Sequence, residues 1–316
     1  MTRAGATALI FGAAAAGVVM TPARAQTDAV IRIATLPIDG ASQAYYAQDA
    51  GFFAKAGLTV DIQPMLSSSA IAAAVSANAV DIGYGNIDVL AALHSKNVPT
   101  IAIASANDYI SPLTARTVGL LVPSKSAIQQ AAELNGKIVA VGAIRSVAEI
   151  ASRAWIDQHG GDSSTVKFVE VPIPAMPAAL DAGRTDAAFV VEPFLGVAVR
   201  TCRVLSYGVY DAVAKRFVLA AWFGAPQWVK DHPAIAKRFA GVMRETAVWA
   251  NANPALSGAT LSKYSKIDPA IIATIARAHF AEQLTPALLQ PLIDVAAKYN
   301  GFSAFPAQEL LNSAAR

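Results

Sequence analysis

Two stretches of this 316-residue chain decide how it reads: Ala73-Ala-Val-Ser-Ala-Asn-Ala-Val-Asp-Ile-Gly83 and Ala178-Ala-Leu-Asp-Ala-Gly-Arg-Thr-Asp-Ala-Ala188. Each closes a helix-forming run and passes through a residue that tolerates positive φ, Asn78 in one and Gly183 in the other. Each then crosses two linking residues to an aspartate, Asp81 or Asp186, and enters an apolar strand. The match in character, position for position, predicts two similarly built lobes.

The flanking sequence fits that reading. The β-branched run at 29–36 ends at Pro37 as a buried strand would, 43–53 reads as a helix, and 58–63 alternates up to Pro64. Ser67, Ser68 and Ser69 can cap a helix over 70–77 through their hydroxyl oxygens. A strand at 80–84, a helix at 88–96 and a strand at 100–105 follow. Beyond an irregular polar segment at 107–116 the alternation resumes, with strands at 118–122, 137–141, 166–171 and 187–191. Strands at 204–208 and 217–223 carry the chain back, and the remainder is helical. The expected architecture is α/β, two doubly wound lobes with parallel sheets under helices, joined by a two-segment hinge. Residues 26–110 plus 217–316 form lobe 1, and 111–216 form lobe 2.

The first 25 residues read as a secretory leader: an apolar stretch from Ala8 to Met20, then the small-x-small site Ala23-Arg24-Ala25. The stretch is shorter than the roughly 20 residues that span a bilayer, so cleavage before Gln26 and a periplasmic mature protein are expected. The lone Cys202 offers neither a lipid anchor nor an intrachain disulfide. The formal charge of +3 includes Arg3 and Arg24 of the leader, and the remaining charges are scattered. No nucleic-acid surface is implied, and a monomer without cofactor is expected.

Several strings, in order and spacing, resemble the substrate-binding proteins of ABC importers for sulfonates, taurine and nitrate, a family related to the pyrimidine synthases of yeast thiamine biosynthesis. They are Ile31-Arg-Ile-Ala34, Ala50-Gly-Phe-Phe-Ala-Lys-Ala-Gly-Leu-Thr-Val60, Val80-Asp-Ile-Gly83, Leu134-Asn-Gly-Lys-Ile-Val-Ala140, the second of the two opening stretches, Val191-Glu-Pro-Phe194 and Ala247-Val-Trp-Ala-Asn-Ala-Asn-Pro254. The resemblance implies a type II periplasmic-binding-protein fold. It also implies a small-molecule ligand, with an inner-membrane permease and its ATPase as partners.

In a doubly wound sheet, ligands lie beyond the carboxyl ends of the strands. That rule selects the loops 37–43, 66–69, 85–88, 142–146 and 192–194, with Asn107 and Tyr109 beside the hinge. Ser68 and Ser69 cap a helix N-terminus that favours negative charge, and Arg145 with Ser146 could grip a carboxylate or sulfonate from the opposite lobe. Asn86 and Gln43 carry both donor and acceptor. Asp39 and Glu192 could hold a ligand N–H or pair with Arg145, while Phe194 and Tyr109 could supply apolar walls. Trp155, Trp222 and Trp249 read as core. These residues favour a small organic anion, a sulfonate or carboxylate; a pyrimidine-type thiamine precursor held by Glu192, Asn86 and an aromatic wall is the alternative. Enzyme chemistry finds little support: His94, His159, His232 and His279 are isolated, no nucleophile elbow or phosphate loop is present, and the synthases' cysteine-rich motif is missing.

Overall fold

The computed structural model describes residues 1–2 and 30–311, so the expected leader and its cleavage site lie outside the described residues. In the first lobe, strands β1 (Ile31–Thr35), β2 (Val60–Pro64), β3 (Ile82–Asn86) and β4 (Ile101–Ser105) alternate with helices α1 (Gln43–Asp49), α2 (Phe52–Lys55), α3 (Ser68–Ser76) and α4 (Ile87–Ser95). β5 (Asn107–Ile110) leads out to the second lobe. There β6 (Val118–Pro123), β7 (Ile138–Val141), β8 (Lys167–Glu170), β9 (Ala187–Val191) and β10 (Cys202–Ser206) alternate with α5 (Val147–Gln158), α6 (Met176–Asp181) and α7 (Phe194–Ala198). β11 (Arg216–Val218) and β12 (Ala220–Gly224) return the chain. Helices α8 (Pro226–Asp231), α9 (Pro233–Ala252), α10 (Pro254–Ser265) and α11 (Pro269–Ile272), strand β13 (His279–Phe280) and helix α12 (Pro286–Asn300) follow.

The two lobes repeat one plan. Their sheets have the orders β2-β1-β3-β12-β4 and β8-β7-β9-β6-β10. In each the first three strands are parallel, and the fourth, β12 or β6, runs against both of its neighbours. The duplicated sequence supplies the central strand each time, β3 in one sheet and β9 in the other.

The aspartates of the two copies make the same pair of bonds. Asp81 N–H donates to the Arg32 carbonyl at 2.9 Å, and its carboxylate accepts the Arg32 N–H at 2.8 Å. Asp186 N–H donates to the Ile138 carbonyl, and its carboxylate accepts the Ile138 N–H, both at 2.8 Å. Each aspartate therefore pins the entry of the central strand to the strand beside it. The preceding turns need φ of 55° at Asn78 and 65° at Gly183, which asparagine tolerates and glycine adopts freely. Asp81 adds a contact of 2.7 Å to the Arg32 guanidinium.

The crossing between lobes is more ordered than the sequence suggests. Residues 107–110, expected to be irregular, form β5, which pairs with β11 (Tyr109 opposite Phe217) and with β13 (Asn107 opposite Phe280). The strand expected over 217–223 divides at Leu219, whose N–H donates to the Asn107 carbonyl, so Val218 stays in this hinge ribbon while Ala220 joins the first sheet. The helix expected over 43–53 breaks at Gly51, which takes a left-handed φ of 77°. The C-terminal α12 packs on α4, α5 and β11. From its end Tyr299 donates to Asp157 at 2.8 Å and Asn300 to the Arg145 carbonyl at 3.0 Å. Trp222 is fully buried and Trp155 nearly so, and one hydrophobic cluster runs from the first sheet to the second.

Replacing Asp81 or Asp186 by alanine leaves a strand N–H without its acceptor. Each variant should lose about 1–3 kcal/mol of stability in urea unfolding. Asp186→Asn keeps an acceptor oxygen and should lose less than Asp186→Ala. Equal midpoints for wild type and both alanine variants would contradict the pinning role.

Candidate functional site

The carboxyl ends of β1, β3, β7 and β9 point their loops at one another, and between them lies a cavity of about 120 Å³. From the first lobe it is lined by Asp39 and Gly40 after β1, by Ser67, Ser68 and Ser69 at the start of α3, and by Asn86 at the end of β3. From the second it receives Gly142 and Ala143 after β7, Ser146 and Val147 opening α5, and Glu192 after β9. Asn107 of the hinge ribbon also faces it, and the rings of Tyr84, Phe189 and Tyr210 with Leu36, Ile38 and Val118 supply apolar wall. The lobes meet across it: the Asp39 N–H donates to the Glu192 carbonyl at 3.2 Å. The volume is similar to that of an apolar cavity of about 150 Å³ that takes up benzene.

Two carboxyl groups border this space, in different states. Asp39 is 1% exposed, and its oxygens accept from Tyr46 (2.8 Å), from the Ala278 N–H (2.7 Å) and twice from Arg277 (2.9 and 3.0 Å). The Tyr46 hydroxyl in turn accepts from Arg277 at 2.8 Å. The charge of Asp39 is thus matched, and its lone pairs are committed within the first lobe. Glu192 has no such partner. One oxygen accepts the Gly196 N–H at 2.8 Å, while burial, and secondarily the nearby Asp39 carboxylate, push its pKa from the ordinary 4.5 up to about 8. Glu192 is mostly protonated at neutral pH and presents a neutral carboxylic acid to the cavity.

A third acid stands at the lobe junction. Asp88, in the first turn of α4, is fully buried with no side-chain partner for its carboxylate, and burial, only partly offset by nearby backbone N–H groups including that of Val147 in α5, pushes it up to about 7. No lysine, arginine or histidine lines the cavity among the described residues.

The structure brings together Asp39, Ser68, Ser69, Asn86, Asn107, Ser146 and Glu192. It places the other candidates elsewhere. Arg145 is exposed, with φ of 62°; its N–H donates to Glu149 and its carbonyl accepts Asn300, so the side chain stands outside the cavity wall. Gln43 is core: its amide donates to the Met243 carbonyl at 2.8 Å and accepts the Trp222 indole N–H at 2.7 Å. Tyr109 is buried in the hinge against Tyr210 and Phe217, its hydroxyl on Asp211. Phe194 opens α7 and packs into the second lobe's own cluster. The sequence reading missed Tyr84, Phe189 and Tyr210 as the aromatic wall, although Tyr84 sits two residues before Asn86 on the same strand. It also missed Arg277, which no motif marks.

Paired sheets of this order, closing on a cavity at their strand ends, define the fold of periplasmic binding proteins. The aliphatic sulphonate-binding protein of Escherichia coli superposes with a TM-score of 0.71 at 16% identity, over 90% of this chain and 92% of that one. The ligand-binding component of an ABC-type import system from Staphylococcus aureus gives 0.77 at 13% identity, over 90% and 96%. A Candida albicans protein described as having the generic periplasmic binding protein fold gives 0.70 at 13%, over 89% and 93%. No curated protein matches in sequence. The chain belongs to the NMT1/THI5-like family, whose model matches residues 41–257.

Glu192 imposes a pH dependence whose sign follows from its raised value. Between the ordinary carboxyl range and pH 8 the unfolded chain has lost this proton while the folded protein keeps it, so rising pH in that window favours unfolding. Glu192→Gln, which cannot ionise, should show a flatter melting profile from pH 5 to pH 8 and should gain on wild type toward pH 8. Asp88 is common to both proteins and cancels in the difference. Parallel profiles would contradict a protonated Glu192.

Proposed function

We propose that the protein is the exported solute-binding component of an ABC importer. It captures a small uncharged molecule between its lobes and delivers it, closed, to a permease and its ATPase. One observation carries the ligand class: a ring-sized cavity shared by both lobes whose walls, among the described residues, hold no cation, one ion-paired acid and one protonated acid. An anion there would have to exchange its water for the N-termini of α3 and α5 with no positive side chain beside them, a larger desolvation cost than a neutral polar ligand meets. The small organic anion expected from the sequence rested on Arg145 and on the helix N-termini; Arg145 stands outside the wall, while the starts of α3 and α5 line it. The apolar rings and amides favour the pyrimidine-type alternative instead.

The family and the fold shared with binding proteins support binding over catalysis, as does a cavity whose polar groups are suited to hydrogen bonding. Ligand contacts from both lobes stabilise the closed arrangement relative to an open one, and that difference sets how far binding shifts the population.

A thermal-shift and calorimetric panel of uncharged ring compounds, such as nicotinamide and uracil, against propanesulfonate and taurine tests this reading. Members of the uncharged set should raise the melting temperature, and Arg145→Ala should bind them as wild type does. Stabilisation by the sulfonates alone, with about tenfold weaker binding in Arg145→Ala, would return the site to an anion.

A further inference from the structure

Each of the two cavity asparagines has its amide oxygen engaged by a hydroxyl donor. The Tyr84 hydroxyl donates to Asn107 Oδ1 at 2.8 Å, and the Ser68 hydroxyl donates to Asn86 Oδ1 at 2.7 Å. Among the described residues neither amide nitrogen has a hydrogen-bond partner. Asn107 Nδ2 is turned toward Gly40 in the cavity wall: a Cβ on Gly40 would lie 2.6 Å from Nδ2 but 3.6 Å from Oδ1, so the glycine leaves this amide its room.

We propose that Tyr84 and Ser68 are positioning residues: by holding the side-chain oxygens of Asn107 and Asn86, they turn both amide nitrogens to the cavity and select a ligand that shows hydrogen-bond acceptors to the first lobe. The inference rests on the reading of the cavity as a site for an uncharged solute and adds the polarity of that solute.

The physical basis is the proton inventory. A hydroxyl has one proton, and here each is spent on an asparagine carbonyl. Rotating Asn107 by half a turn would set its amide N–H on the Tyr84 hydroxyl and take away the acceptor that the proton of this buried hydroxyl now has. Asn86, at the end of β3, has its oxygen held by the Ser68 hydroxyl from the partly exposed first turn of α3. Asp39 cannot offset this bias toward donors, because its lone pairs are taken by Arg277, Tyr46 and the Ala278 N–H. Glu192 on the opposite wall and the Ser69 hydroxyl on the near one can donate or accept, so the bias toward donors lies at the two asparagines. Exocyclic carbonyl oxygens suit the first-lobe wall, whereas exocyclic amino groups would meet its N–H groups head on.

Two rings of the same shape and opposite polarity make the test: uracil, which carries carbonyl oxygens where 2,4-diaminopyrimidine carries amino groups. Their affinities are to be measured by calorimetry for the full-length mature protein and for Tyr84→Phe, Ser68→Ala and Asn107→Asp, with melting temperatures as a check on folding. Wild type should prefer uracil. Tyr84→Phe and Ser68→Ala should each reduce the ratio of the two affinities by about tenfold, the worth of one hydrogen bond, and Asn107→Asp should abolish uracil binding. The ratio is the decisive reading, since any proton exchange between Glu192 and the diamine is common to wild type, Tyr84→Phe and Ser68→Ala and cancels. Ser68→Ala lies at the partly exposed start of a helix and keeps the test valid if Tyr84→Phe does not fold. A preference for the diamine, an unchanged ratio in the variants, or failure of uracil to bind overturns the donor code. A response to sulfonates alone in the earlier panel marks instead the failure of the uncharged-solute reading beneath it.

Discussion

A two-way bond between an aspartate and the backbone of the neighbouring strand, made once in each lobe, is the constraint on which the rest of the molecule hangs. Asp81 pins β3 to β1, and Asp186 pins β9 to β7. Because side chains alternate along a strand, a slip of one residue at either place would turn every side chain of the central strand to the opposite face. The loops after those strands would move with it, and Asn86 follows β3 as Glu192 follows β9. The register of two interior strands thus sets where the polar groups of the cavity stand. The antiparallel β12 and β6, each the strand by which the chain enters its sheet after crossing from the hinge, complete the same plan twice.

The chemistry of the cavity comes from how its acids are kept neutral. Asp39 is balanced by Arg277, which supplies two of its four hydrogen bonds, a buried pair whose value lies in fixing the loop after β1 against the segment leading into β13. Glu192 is neutral by protonation and Asp88 is left unpaired at the junction between lobes. With no cationic side chain in the described wall, the remaining polarity is that of hydroxyls, amides and helix N-termini. Such a site discriminates by the pattern of donors and acceptors, since a mismatched polar pair in a closed cavity costs more than a matched one gains.

The sequence made the duplication legible because its signals are local: a residue suited to positive φ, an aspartate three residues later and an apolar strand. It therefore placed β9 at its observed bounds and chose loops that do reach the cavity, with Ser68, Asn86, Ser146 and Glu192 on them. What it could not show depends on contacts distant along the chain. Arg277 meets Asp39 across 238 residues, and Gln43 leaves the cavity because Trp222, 179 residues on, takes its oxygen. Tyr109 looked like wall because it lies beside the hinge, but β5 pairs with β11 and buries it. Arg145 sat on the right loop, yet its left-handed backbone and the bond from Asn300 hold it at the surface, and loop membership alone carries no information about which way a side chain leaves.

The claim at the centre is that one small solute, touched by both lobes, holds them closed. Single-molecule energy transfer between dyes at the exposed positions 61 on β2 and 167 on β8, at the outer edges of the two sheets, tests it directly. Titration with the tightest uncharged binder should collapse a distribution with open and closed populations into a single closed peak, with a midpoint equal to the calorimetric affinity. A distribution that saturating ligand leaves unchanged would place binding outside the cleft and contradict the account.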